Sequence, residues 1–451
     1  MIKEKYDIVI IGGGHNGLVC AAYLAKGGLS VKVLEKRGVV GGAAVTEEFA
    51  PGFKNSTCSY TVGLLSPRVV NDLNLYNHGL KLVPRPMLNF IPTSDGNYLK
   101  AYADREKFKN EIARHCVQDA EAFSNYDATI SEMARVIRDQ LHTAPPNVGG
   151  GYKEIFKAWR LSKKLIKVKA ETRANLLEIF TVSAASFLSR WFKNDTLKAL
   201  LAFDGIVGNL ASPHEPGTAY VLMHHSLGEI MPKGSWGHAI GGMGSISNAI
   251  ATEALNAGVS IETNKAVTKL LVDDDSTVFG VEMKDGKQIH GRAIVSNINP
   301  KLLFLDFLEA SQVPESFRHG MQRFKCVSGS FRMNVALSEL PDFSCSPGKS
   351  VEDHHGAGII LAPTMAYQHQ ALEDAKKNGW STRPIVEMVI PSTLDDSLAP
   401  SGKHVASLFC QHFLPNLPDN KMWDSCQEAA ANSVINLVSE FAPNFQKSII
   451  A

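Results

Sequence analysis

Residues 6–17 read Tyr6-Asp7-Ile8-Val9-Ile10-Ile11-Gly12-Gly13-Gly14-His15-Asn16-Gly17, and their reading decides the fold. Ile8 to Ile11 is a short apolar, β-branched run, the pattern of a strand buried on both faces. A glycine turn follows at once. Leu18, Ala21, Ala22 and Leu24 then recur at helical spacing, and Val31 to Leu34 reads as a second buried strand. Strand, turn, helix and strand in about thirty residues make a βαβ unit.

Gly12, Gly14 and Gly17 fit G-x-G-x-x-G, with His15 and Asn16 inside the motif, and Glu35 closes the second strand. In such a unit the first glycine permits a tight turn and the second admits a pyrophosphate. The third lets the helix pack close to the strand. The helix N-terminus offers unpaired N–H groups and a positive dipole end to phosphate. Glu35 can accept from both hydroxyls of an adenosine ribose, and its charge would repel a 2′-phosphate. Further along, Gly41-Gly42 implies another close approach of backbone to ligand, an ordinary loop being the alternative.

The 451 residues are 44% hydrophobic and 20% charged, enough for two or three domains with their own cores. A net charge of +1 gives no electrostatic case for nucleic acid. Seven scattered cysteines form no C-x-x-C, so neither a dithiol centre nor a zinc knuckle is expected. That sparse, odd set points to a reducing compartment, and no leader is expected before the first strand. The expectation is a bacterial cytoplasmic location, or the mitochondrial matrix if the source is eukaryotic. No apolar run is long enough to span a bilayer.

The stretch GGGHNGLVCAAYLAKGG…VLEKRGVVGGAAVTEEFAPGF…SYTVGLLSP resembles the flavoprotein family of phytoene desaturases, carotenoid isomerases and amine oxidases. The resemblance covers nearly the whole chain. It implies FAD as cofactor, with the diphosphate on Gly12, Gly14, His15, Asn16 and Gly17 and the ribose on Glu35. Lys36 and Arg37 would follow the ribose acid, and Gly41, Gly42, Ala43 and Thr46 would lie beside the flavin. Val267, in Ala266-Val267-Thr268-Lys269-Leu270, would pair with adenine through its backbone. Ala43 stands where desaturases and amine oxidases often carry arginine, a departure in the substrate region. The family also closes with a second glycine-rich segment. No glycine follows Gly402 here, so that segment is expected to be absent.

The implied architecture is α/β: a discontinuous Rossmann-like FAD domain and a substrate domain of mixed sheet and helices. Residues 1–75 and 235–305 would form the FAD domain, and 76–234 and 306–451 the substrate domain. Short strands are expected at 80–83, 89–92 and 98–102, with a turn at Asp95-Gly96-Asn97. Asp104 should cap the next helix, and a long helix should cover 119–141. Asp285-Gly286 should turn a hairpin, and strands are expected at 327–337, 385–390 and 405–410 before a final helix over 421–441.

Several features carry two readings. Residues 153–169 hold Lys153, Lys157, Arg160, Lys163, Lys164, Lys167 and Lys169, interleaved with Ile155, Phe156 and Trp159. They read as a solvated lysine face, the common outcome for a charge run, or as a membrane-surface helix. His224-His225 and His354-His355 are adjacent pairs, which point to different sides of an element. They suit structural or substrate-lining roles better than a metal. Ser212-Pro213-His214-Glu215-Pro216 is a candidate pocket-lining loop.

The expected chemistry is hydride transfer between an apolar, polyene-like small molecule and flavin N5. No acid–base pair is distinctive enough in sequence to name. An NAD(P)-dependent oxidoreductase is the first alternative, using Gly242, Gly244 and Glu262 as a second nucleotide site. A non-catalytic regulatory protein on a flavoprotein fold is the second.

Overall fold

A computed structural model describes residues 5–147, 149–231, 235–348 and 350–451. The chain divides into two compact units. Unit 1 comprises Met1–Val83, Gly237–Val327 and Leu394–Ser401, and unit 2 the remainder. The breaks anticipated near 75 and 305 therefore fall at 83 and 327, and the one at 234 lies outside the described residues. Leu394–Ser401, expected in the substrate domain, joins unit 1 for a local reason. The Asp395 carboxylate accepts from His238 Nε2 at 3.1 Å and from the Gly241 N–H at 2.6 Å.

Unit 1 is built on a six-stranded sheet. Its order is Val267–Val272, Val278–Met283, Gln288–Ser296, Lys5–Ile11, Val31–Leu34 and Ser260–Glu262. The last four strands run parallel and the first three form an antiparallel meander. Val9, Ile10 and all of Val31–Leu34 are buried, as a doubly covered parallel sheet requires. Helix His15–Lys26 packs against helix Gly244–Asn256. Asp285-Gly286 makes the expected hairpin turn, with Gly286 at φ +78° and the Met283 N–H donating to Lys287 O.

Unit 2 is a mixed sheet in the order Ser330–Leu337, His404–Phe413, Trp380–Val389, Gly358–Leu361, Asn89–Pro92 and Tyr98–Ala101. Gly358–Leu361 pairs in parallel with Asn89–Pro92, and the other pairings are antiparallel. Alternate side chains feed two cores, the period-two rule of a strand. Ile359, Leu361, Val386 and Met388 pack with Val434, Leu437 and Val438 of helix Trp423–Phe441. Ile360 and Ile385 pack on the other side with Phe123, Tyr126, Ile130 and the helices around them.

The long helix is Val117–Arg138, with Phe123, Tyr126, Ile130, Met133 and Val136 buried and Leu141 left exposed beyond its end. Asp104 caps the preceding helix, its Oδ1 accepting from the N–H groups of Glu106 and Lys107. The strand anticipated at 80–83 does not join this sheet. Leu82–Pro84 pairs with Gly237–Ala239 in a two-stranded ladder.

Candidate functional site

The candidate cradle stands in unit 1, at the carboxyl ends of Lys5–Ile11 and Val31–Leu34. Gly12 N–H donates to Leu34 O at 2.9 Å, so the first strand turns sharply across the end of the second. Glu35 is 7% exposed, and both its oxygens are engaged by backbone. Oε2 accepts from Gly13 N–H and Oε1 from Arg37 N–H, each at 2.8 Å. Each carboxylate oxygen keeps a further lone pair, so the residue is fixed in place while still able to accept from a ribose.

The requirement at Gly17 is steric. A Cβ there would stand 2.4 Å from the Gly12 carbonyl oxygen, so only glycine lets the helix begin against the turn. A Cβ on Gly14 would stand 2.8 Å from Asn297 Nδ2. Asn297 follows Gln288–Ser296 and is tied to Ile11 O through its own N–H at 2.9 Å. Sequence reading missed it. Its only signal is a polar residue at the end of the strand that pairs with Lys5–Ile11.

Gly41 and Gly42 do approach backbone closely, but that backbone is the first glycine loop. Gly41 N–H donates to Gly13 O at 2.8 Å, and His15 N–H donates to Gly41 O at 3.3 Å. A Cβ on Gly42 would lie 3.0 Å from Gly14 Cα. These contacts between two loops of the chain lock the cradle's wall.

The other candidate residues separate into two groups. Lys265 N–H donates to Glu35 O and Asn264 N–H to Arg37 O, which brings the buried Val267 up beside the cradle. Arg37 pairs with Glu47, and Asn16, Lys36 and Ala43 are exposed. Thr46 points elsewhere, its hydroxyl accepting from Gly244 N–H at 2.9 Å.

That bond settles the second fingerprint. Ser56 Oγ accepts from Met243 N–H, and a Cβ on Gly242 would sit 2.3 Å from Thr46 Oγ1. The space at the start of Gly244–Asn256 is filled by the chain's own side chains. Glu262 is spent on an ion pair with the buried Lys32. Gly242, Gly244 and Glu262 therefore serve packing, and the NAD(P) alternative loses its site.

The residues present fit a dinucleotide. The turn at Gly12–Gly14 carries no side chain, Glu35 is preset beside it, and His15 Nδ1 is buried without a hydrogen-bond partner. The helix's first N–H groups have no intrahelical acceptor and add a positive dipole end.

A family profile described as flavin containing amine oxidoreductase matches residues 17–330. The chain belongs to this family. It is 36% identical over its full length to rat pyridine nucleotide-disulfide oxidoreductase domain-containing protein 2, covering 81% of that protein. It is 26% identical over 99% of its length to a limonene dehydrogenase subunit from Castellaniella defragrans, covering 80% of that protein. A solved oxidoreductase from Methanosarcina mazei shares the fold, with a TM-score of 0.59 at 15% identity over 99% of this chain and 86% of that one. The protein is thus an FAD-dependent oxidoreductase of the flavin-containing amine oxidoreductase family.

Unit 2 contains a cavity of 590 Å³ between the sheet and its helical layer. Leu88, Phe108, Phe123, Ile130, Leu200 and Trp236 are among its apolar walls. Asp127, Asp204 and Glu229 also line it. Arg105 holds Asp127 at 3.0 Å, and Arg138 lies 3.5 Å from Glu229. Burial raises the Asp204 carboxyl to about 6, with His225 drawing it down. His225 also lines the cavity, its Nδ1 2.9 Å from Val221 O.

The remaining motifs have structural places. His354 and His355 are buried in the sheet's other core, and burial lowers both rings, His354 to about 3. Among the described residues no group of His, Cys, Asp and Glu could hold a metal. Residues 212–216 do not line the cavity. Pro213 O accepts from Ala185 N–H, and Ser212 Oγ bonds His369 Nδ1, so the loop fastens helices together.

Proposed function

We propose that the protein oxidises an apolar, hydrocarbon-like small molecule, with the two reducing equivalents passing to FAD. Bound FAD supplies a two-electron acceptor at flavin N5. The side-chain-free turn and helix start at Gly12–Gly17 would hold its diphosphate, Glu35 would hold the ribose, and the backbone at Val267 would flank the adenine. The single observation that carries the substrate class is the unit 2 cavity. Leu88, Phe108, Phe123, Ile130, Leu200 and Trp236 give it apolar walls for a hydrocarbon, and two of its three carboxylates already have guanidinium partners. An ammonium substrate would therefore find only Asp204 unpaired by arginine. The likeness to the limonene dehydrogenase protein supports the same class.

The Asp204 carboxyl is the residue able to accept the proton that accompanies C–H cleavage. Its raised pKa brings it closer to ambient pH than an ordinary carboxylate, as a general base requires. His225 stands beside it as a second titratable wall residue.

The test is anaerobic mixing of the FAD-loaded protein with a panel of monoterpenes, polyenes and primary amines, following the flavin's visible absorbance. Bleaching by hydrocarbons and not by amines supports the reading. Bleaching by amines alone overturns it.

A further inference from the structure

We infer that helix Tyr152–Ile166 is a membrane-surface helix, docking on a bilayer that carries anionic phospholipid headgroups. The helix has no buried residue. A narrow stripe of Glu154, Ala158 and Leu161 is half-buried, at the i, i+4, i+7 spacing of one helix face. The larger apolar groups stand away from that stripe. Tyr152 is 79% exposed, Ile155 69% and Ile166 66%, with Phe156 and Trp159 about half exposed. Advancing 100° per residue, Tyr152, Ile155, Phe156, Trp159 and Ile166 fall within one arc of roughly 100°. Lys153, Lys157, Arg160 and Lys164 fall in an adjoining arc.

Three observations select a lipid surface as the occupant. The first is charge: residues 152–169 carry seven cations and one carboxylate, in a chain whose net charge is +1. Positive charge is gathered where the apolar arc is, which complements a negative headgroup layer. The second is composition. Tyr152 and Trp159, each an apolar ring with a polar edge, are the residue types that favour a bilayer interface, and the lysines bear long stems that reach out to headgroups. The third is the arrangement of cations over rings. Lys163 Nζ lies 3.7 Å from the Trp159 ring centroid and the Arg160 guanidinium 5.6 Å from that of Phe156. Phe156 and Trp159, two of the aromatic groups in the arc, thus each hold a cation beside the ring.

The helix is also loosely seated on its own unit. Two cavities of 620 Å³ border the helix. One is lined by Leu161, Lys164 and Pro145-Pro146, the other by Val136, Leu165 and Val168. A helix whose inner face makes so little contact, and whose apolar arc is in water, gains most from a surface that accepts the arc. Among the described residues no helix is long and apolar enough to cross a membrane, so the contact is one of lying on the surface. The inference concerns this surface alone and stands whether or not the substrate is apolar.

The experiment is flotation and co-sedimentation of the FAD-loaded protein with vesicles of phosphatidylcholine, alone or mixed with phosphatidylglycerol. The wild type should bind the mixed vesicles at least tenfold better than the neutral ones, and salt should release it. Ile155→Glu with Trp159→Glu should abolish binding to both. Lys157→Gln with Lys164→Gln should cut binding to the mixed vesicles severalfold and leave the neutral ones unchanged. These positions are exposed, and flavin content and the circular dichroism spectrum report that each variant folds. Equal binding to both vesicle types, no binding at low salt, or full binding by the Ile155→Glu, Trp159→Glu variant would overturn the inference. So would a stable dimer in sedimentation equilibrium that this variant dissolves while vesicles stay unbound, since the arc would then cover a second copy of the chain.

Discussion

At the scale of single residues, the cradle depends on atoms that approach within contact distance. Glu35→Gln keeps the shape but turns one acceptor oxygen into an NH2 facing a backbone N–H, at Gly13 or Arg37. It should weaken FAD binding by about 1.5–3 kcal/mol, the range for a hydrogen bond to a charged group. Unchanged affinity in a fluorescence titration would remove Glu35 from the site. Gly14 and Gly17 separate ligand binding from folding. The Cβ of Gly14→Ala meets a side-chain amide that can swing aside, so the protein should fold and bind FAD poorly. The Cβ of Gly17→Ala meets the Gly12 carbonyl at 2.4 Å, which cannot move without moving the strand. It should cost about 1–3 kcal/mol of stability as well. Thermal melts of the two apo variants check the contrast, and equal melting temperatures would contradict it. Gly12, Gly14, Gly17 and Glu35 were legible because their spacing is local. Asn297 was not, because it reaches Gly14 from 283 positions further along the chain.

At the scale of elements, two glycine-led helices begin on the same plan and end with different roles. His15–Lys26 starts from a turn that is bare of side chains. Gly244–Asn256 starts from a turn that Thr46 and Ser56 fill. Sequence marks the difference only in Ser247, which stands where a third glycine would, and in the short apolar run Ala239-Ile240 before the turn; the filling residues lie far off in the hairpin Thr46–Ala50 and Phe53–Ser56. Thr46→Val removes the acceptor from Gly244 N–H and should destabilise unit 1 by about 0.5–2 kcal/mol, as loss of a helix cap does. NADPH should give no hydrogen-exchange protection to residues 241–247 in either protein, and protection there would restore the second nucleotide site. The strands with long apolar runs, Ser330–Leu337, Trp380–Val389 and His404–Phe413, were legible at their centres. Gly358–Leu361 escaped notice because four residues carry little periodicity. Helix Met365–Asn378 escaped because Gln368 takes a core position, where its Nε2 donates to Ala199 O at 2.9 Å.

At the scale of the whole molecule, protons and cofactor act on different units. All five tryptophans lie in unit 2, so their fluorescence follows that unit alone. Burial lowers His354 to about 3 and His412 to about 4. A histidine whose folded pKa is depressed is protonated first in the unfolded chain, so its contribution is complete above about 6.5 and is lost as pH falls. Asp204 acts oppositely, because its raised pKa means that protonation near 6 favours the folded state. The two histidines outweigh it, and unit 2 should lose about 2 kcal/mol between pH 7 and pH 5. Urea melts by tryptophan fluorescence should show this, and Asp204→Asn should raise stability at pH 7 by about 1–3 kcal/mol. Equal stability at both pH values would contradict the buried, neutral state of the histidines. In the proposed reading, the glycine turn and Glu35 in unit 1 grip the adenosine diphosphate half of the cofactor. Calorimetric titration of the apoprotein with FAD, FMN and ADP addresses that grip most directly. FAD should bind at least tenfold more tightly than FMN, which lacks the adenosine monophosphate half and so forgoes about 1.4 kcal/mol or more, and ADP should compete with FAD. FMN binding as tightly as FAD, or no competition from ADP, would contradict the assignment of residues 12–17 and Glu35 to FAD.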